Sequence, residues 1–113
     1  MQANPVQIIA PQTITDTLTG YYTSPAKKRT LISKLTFSNA STTAESVSVH
    51  LVPSGGTADA SNKVISDRTV NNGEAAAIYQ LEGQVMEPGD SLHFASDTTG
   101  SVIVVVASGV EIY

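Results

Sequence analysis

Apolar and polar residues alternate over most of this chain, and the alternation predicts short β-strands. Leu31, Ser33, Leu35 and Phe37 share one side of a strand from about Thr30 to Asn39, opposite Lys34, Thr36 and Ser38. Val47, Val49 and Leu51 alternate with Ser46, Ser48 and His50, and Leu92 with Phe94 forms another inward pair. Val64 to Val70 and Ala75 to Leu81 flank Asn71-Asn72-Gly73, a triplet that tolerates positive φ and suits a tight hairpin. Val102 to Ala107 is apolar on both faces, which places it centrally in a sheet. Ser108-Gly109 then reads as a bulge before Val110 and Ile112 resume the alternation. No stretch keeps a helical apolar period over several turns. The expected fold is all-β: an antiparallel β-sandwich of about eight strands.

Composition strengthens this reading. Thr, Val and Ile fill 33 positions against six Leu, and β-branched side chains favour the pleated surface of a sheet. Turn formers recur at short intervals, from Gly20 and Pro25 through Pro53 to Gly56, Pro88-Gly89-Asp90 and Gly100. At 113 residues with 41% apolar content, the chain supports one core and hence one domain. The longest apolar run is six residues, too short to span a bilayer, and no secretory signal is expected at the start. There are no cysteines, so disulfides and thiolate chemistry are excluded. Ten acidic against six basic residues give a net charge of −4, the wrong sign for gripping nucleic acid.

Glu87 to Phe94, EPGDSLHF, contains the letters GDSL of a large class of serine esterases. A nucleophilic serine needs a base in reach, and the base needs an orienting group. Ser91 and His93 share a strand face, but Asp90 points to the other, and Asp97 lies roughly 13 Å beyond His93 at about 3.3 Å per residue. The segment reads instead as a turn, with Asp90 bonding nearby backbone N–H groups, followed by a strand. His50 and His93, the only histidines, are expected to face outward, without a third ligand for zinc. Gly55-Gly56-Thr57 lacks the lysine of a phosphate loop and reads as a flexible connection from Pro53 to Asn62. Asn39-Ala40-Ser41 reads as a strand-end turn, and Asp67-Arg68 as a surface charge pair. No catalytic site, metal or cofactor is expected.

Residues 1–20 stand apart as an extended N-terminal arm, leaving 21–113 as the sandwich domain. Met1 to Ala26 carries a single charge, Asp16, with Pro5 and Pro11 breaking regular structure. An arm this apolar should bury Val6, Ile8, Ile9, Ile14 and Leu18, either on its own sandwich or on a neighbour. Tyr21, Tyr22 and the short basic run Lys27-Lys28-Arg29 follow it and complete the candidate protein interface.

From Tyr22-Thr23-Ser24-Pro25-Ala26, the motifs run in order through Asn39-Ala40-Ser41, Val47 to Gly56, Gly73-Glu74, Gly83 to Leu92 and Ser108-Gly109-Val110-Glu111. This series resembles a family of small virion proteins of tailed bacteriophages over about Tyr21 to Ile112. The resemblance implies a jelly-roll-like sandwich without enzymatic activity, located in the virion and partnered by the major capsid protein or other virion proteins. A head decoration or cement role is expected, ahead of a tail- or neck-associated fibre or adaptor domain. A carbohydrate-binding sandwich ranks last, because sugars stack on exposed aromatic rings and this chain has no Trp. A core this poor in Leu and aromatics should also gain from burying edges between copies, so a homo-oligomer is expected, a trimer ahead of a dimer.

Overall fold

The structure, a computed structural model, describes residues 2–113. Met1, the first residue of the expected arm, lies outside the described residues. Nine strands follow one another: β1 (Ala3–Thr13), β2 (Thr19–Thr23), β3 (Arg29–Asn39), β4 (Glu45–Val52), β5 (Lys63–Val70), β6 (Ala75–Ala77), β7 (Val85–Met86), β8 (Ser91–Ser96) and β9 (Ile103–Ile112). Single 3-10 turns at Ala60–Asn62 and Tyr79–Leu81 are the helical elements among the described residues. The strands form two antiparallel sheets packed face to face. One has the order β1-β9-β3-β6, with β7 also pairing β3; the other has the order β2-β8-β4-β5. The chain is an all-β sandwich.

The core lies between the sheets. Ile32, Leu35, Phe37, Ile103 and Val105 come from the first sheet and Val47, Val49, Leu92 and Phe94 from the second, all fully buried. Phe37 meets Phe94 edge-on, with centroids 5.4 Å apart at 88°, an arrangement that sets the positive ring edge against the negative face. Thr30 is also fully buried, and its hydroxyl bonds Tyr22 Oη (2.8 Å) and Ser24 Oγ (2.9 Å). These partners offset the cost of placing a polar group between the sheets.

Of the two places expected to take the apolar residues of the arm, its own sandwich or a neighbour, the structure shows the first. β1 runs antiparallel to β9 from Ala3 opposite Ile112 to Thr13 opposite Val104, and β2 pairs with β8. Ile8, Ile9 and Ile14 are buried in the chain's own core. The physical reason is local: the β9 edge gives β1 backbone partners, and the space between the sheets takes its isoleucines. Pro5 and Pro11 belong to an edge strand, where a missing N–H is tolerated. The accessible surface of 5819 Å² is close to the roughly 5,900 Å² of a compact monomer of this mass, as expected if no segment projects.

Three further expectations change. Leu31 and Ser33 were expected inward, yet Thr30 and Ile32 are buried while Leu31 is half-buried and Ser33 exposed. The ladder between β3 and β9 slips between Ile32 and Lys34, and one extra residue reverses the phase of everything before it. Asn71-Asn72-Gly73 does form a tight turn, closed by Glu74 N–H donating to Asn71 O (3.0 Å) with Gly73 at φ 74°. It is no hairpin, because β5 and β6 belong to different sheets and the turn carries the chain across. The strand expected from Ala75 to Leu81 stops at Ala77 and ends in a 3-10 turn that buries Leu81.

Candidate docking surface

β9 lies between β1 and β3, as its uniformly apolar sequence predicted. Its inward side chains Ile103, Val105 and Ala107 are buried. The alternate residues Val104, Val106, Val110 and Ile112 are only half-buried, because no second layer covers the outer face of this sheet. The Ser108-Gly109 bulge expected in β9 is instead made by its neighbours. β9 keeps its alternation, while β1 slips between Val6 and Ile9 and β3 between Ile32 and Lys34.

Gly109 is where these irregularities converge. A Cβ there would collide with the Leu31 carbonyl oxygen and lie 3.4 Å from Ile8 Cγ2, so only glycine lets the three strands approach this closely. Over this point the outer face sinks into an open depression of about 620 Å³, lined among others by Pro5, Val6, Val106 and Val110. Lys34 is the only ionisable residue on its wall. A partner can therefore approach without stripping water from several charges, which costs several kcal/mol for each unpaired ion.

The predicted interface residues do not come together here. Val6 reaches the depression and packs partly on the core. Ile8, Ile9 and Ile14 are unavailable to a partner, and Leu18 is 38% exposed. Tyr21 stacks on Phe94 at 5.2 Å, turning inward. The Tyr22 hydroxyl donates to Glu111 Oε2 (3.2 Å) and meets Thr30; burial foremost, and Glu111 with it, raises its pKa. Lys27-Lys28-Arg29 is no free basic patch. Lys28 Nζ lies 3.5 Å from Glu111 Oε1 and 4.4 Å over the Tyr113 ring, while Arg29 Nε donates to Glu87 (2.8 Å). Lys27 alone of the three forms no ion pair among the described residues. Asp67 and Arg68 do not pair with each other either: Asp67 Oδ1 accepts from Ser48 Oγ (3.3 Å), and Arg68 donates to Thr69 O.

The outward residues Val104, Val106, Val110 and Ile112 were missed as a surface. Their signal is the two-sided apolarity of β9, from which the sequence predicts only a central place in the sheet.

The Ser91 segment behaves as a turn and strand. Pro88-Gly89 occupies the centre of a turn closed by Asp90 N–H to Glu87 O (3.0 Å), with Gly89 at φ 86°. The Asp90 carboxylate accepts from the backbone N–H groups of Ser54 (3.1 Å) and Glu87 (3.0 Å). Ser91 Oγ does lie 3.0 Å from His93 Nε2, but Asp90 is committed elsewhere and does not orient His93. Asn39 holds its strand-end turn from within: it is 2% exposed and its Nδ2 donates to Thr43 O and Val70 O. No group of three or more His, Cys, Asp or Glu gathers as a metal centre among the described residues. No helix among the described residues is long and apolar enough to cross a membrane. No protein-family model, curated protein or solved structure matches this chain.

Proposed function

We propose that this chain is a structural protein of a tailed-phage virion, a head decoration or cement protein that attaches through the outer face of β1, β9 and β3. The observation that carries the reading is the central strand β9, whose outward valines lie on a nearly uncharged sheet face that this chain leaves uncovered. Contiguous apolar patches left on a surface mark contacts with proteins, membranes or ligands, and we read this half-buried one as a protein contact. The ordered turn motifs from Tyr22 to Glu111 and their phage-protein resemblance supply the setting, with the major capsid protein as the expected partner. We read the strand order 1-9-3-6 over 2-8-4-5 as a jelly roll, an architecture frequent among viral capsid domains. Self-association, with a trimer ahead of a dimer, would use the same apolar face or the β1 edge.

A tail- or neck-associated role is the second reading, favoured by the elongated body of 46 × 26 × 20 Å, which suits an adaptor as well as a shell protein. Carbohydrate binding has less support, because Tyr21 and Tyr22 are engaged in packing and hydrogen bonding and Tyr79, though 72% exposed, is not joined by a second ring among the described residues. Quantitative mass spectrometry of purified virions tests the proposal. Copies comparable to the shell subunits support the head role, and copies matching a single neck or tail axis support the second. Absence from the particle overturns both.

A further inference from the structure

The chain's two histidines are directly opposite each other on neighbouring strands of the second sheet, His50 on β4 and His93 on β8. Both point to the outer face of that sheet, as their alternation requires. His50 was expected to be exposed, yet it is only 7% exposed, because the connection from Pro53 to Asn62 folds over it. Asn62 fixes the state of its ring. Asn62 Nδ2 donates to Thr57 O (2.8 Å), and Asn62 Oδ1 accepts from Asp59 N–H (3.1 Å), so the amide orientation is set by backbone groups. His50 Nδ1 lies 2.9 Å from that same Oδ1 and must be the donor. The proton is therefore on Nδ1, and Nε2 of the neutral ring carries the free lone pair. A metal-ligating histidine is held in the same way by its outer-shell partner.

His93 is less constrained. Its Nε2 lies 3.0 Å from Ser91 Oγ, a hydroxyl that can donate or accept, so either ring nitrogen can hold the lone pair. The ring lies over Gly20 on β2, with Cε1 3.1 Å from where a Cβ would be. Directly opposed residues on antiparallel strands have Cβ atoms about 4.5–5.5 Å apart, within span of two metal–nitrogen bonds of about 2.0–2.1 Å. Turning the His93 ring off Gly20 toward β4 is the movement this requires. We infer that His50 and His93 form an open two-histidine site for a borderline divalent transition-metal ion of the zinc class, with His50 Nε2 and one His93 nitrogen as ligands and water in the remaining positions; it lacks the third protein ligand of a catalytic or structural zinc centre and binds correspondingly weakly.

The test is calorimetric titration of tag-free protein with zinc chloride at pH 7.5 and again at pH 5.5. Uptake of one ion per chain is expected at the higher pH and weaker uptake at the lower, because protons compete with the metal for the imidazole nitrogens. His50→Ala and His93→Gln should each abolish uptake, and Asn62→Ala should weaken it about 10–100-fold by releasing the ring tautomer. His93→Gln keeps a polar group beside Ser91, so it remains informative if His50→Ala unfolds the protein. Failure of the wild type to bind zinc at pH 7.5, or binding unchanged in His93→Gln, overturns the site. This inference is independent of the virion reading.

Discussion

Gly109 has no room for a side chain. In Gly109→Ala the new methyl would meet the Leu31 carbonyl, a backbone atom that cannot turn aside. The substitution is expected to cost about 1–3 kcal/mol, in the range of overpacked cores, and a urea midpoint measures it. Gly73→Ala provides a contrast, since open space surrounds it and only its positive φ of 74° is strained. His93 makes a different, pH-dependent contribution. Burial first, and then the neighbouring His50, hold its folded pKa below the ordinary 6.5. As pH falls through that value, the unfolded chain takes up a proton that the folded one resists. Stability present at neutral pH is therefore lost on acidification. The urea midpoint should fall between pH 7.5 and pH 5.5, and His93→Gln should lessen that fall. An equal fall in both proteins would assign it to other groups.

At the level of strands, β1 holds most of what the sequence called an arm. Ile8 and Ile9 on β1, and Ile14 just after it, would each lose burial worth roughly 1.5–3 kcal/mol if this segment were removed, and the whole stability of a small domain is about 5–15 kcal/mol. Deleting residues 2–18 should therefore unfold the chain, seen as loss of the β-type circular dichroism signal and of a cooperative melt. A folded truncation would show that the sandwich does not need this segment. Element types were legible because alternation is a local property: β4, β8 and β9 follow their apolar residues directly. Alternation puts Leu31 and Ser33 on the wrong face because the slip at Ser33 is set by pairing with β9, which adjacent residues do not report. The turn at Asn71 to Glu74 was legible, but its destination was not, since the same turn chemistry serves a hairpin or a crossing between sheets.

For the whole molecule, the central question is what covers β9. A strand apolar on both faces is expected where both faces of a sheet are buried, and here the chain supplies only one cover. The candidate interface was legible as an abundance of uncharged residues, but its position was not. The sequence concentrated attention on the isoleucines of residues 1–20, which the fold consumes, while Val106 and Val110 gain their meaning only from β1 and β3 on either side. The Lys27-Lys28-Arg29 run lost its role for the same reason: Glu87 and Glu111, distant in sequence, come beside it. The most direct measurement is binding of Val106→Asp to particles made without this protein, with unmodified protein as reference. Val106 points outward and is half-buried, so the variant should fold and melt as the unmodified protein does. It should nevertheless lose attachment, because docking would strip water from an unpaired carboxylate on the wall of the depression. A folded Val106→Asp protein that decorates particles as well as the original would contradict the account.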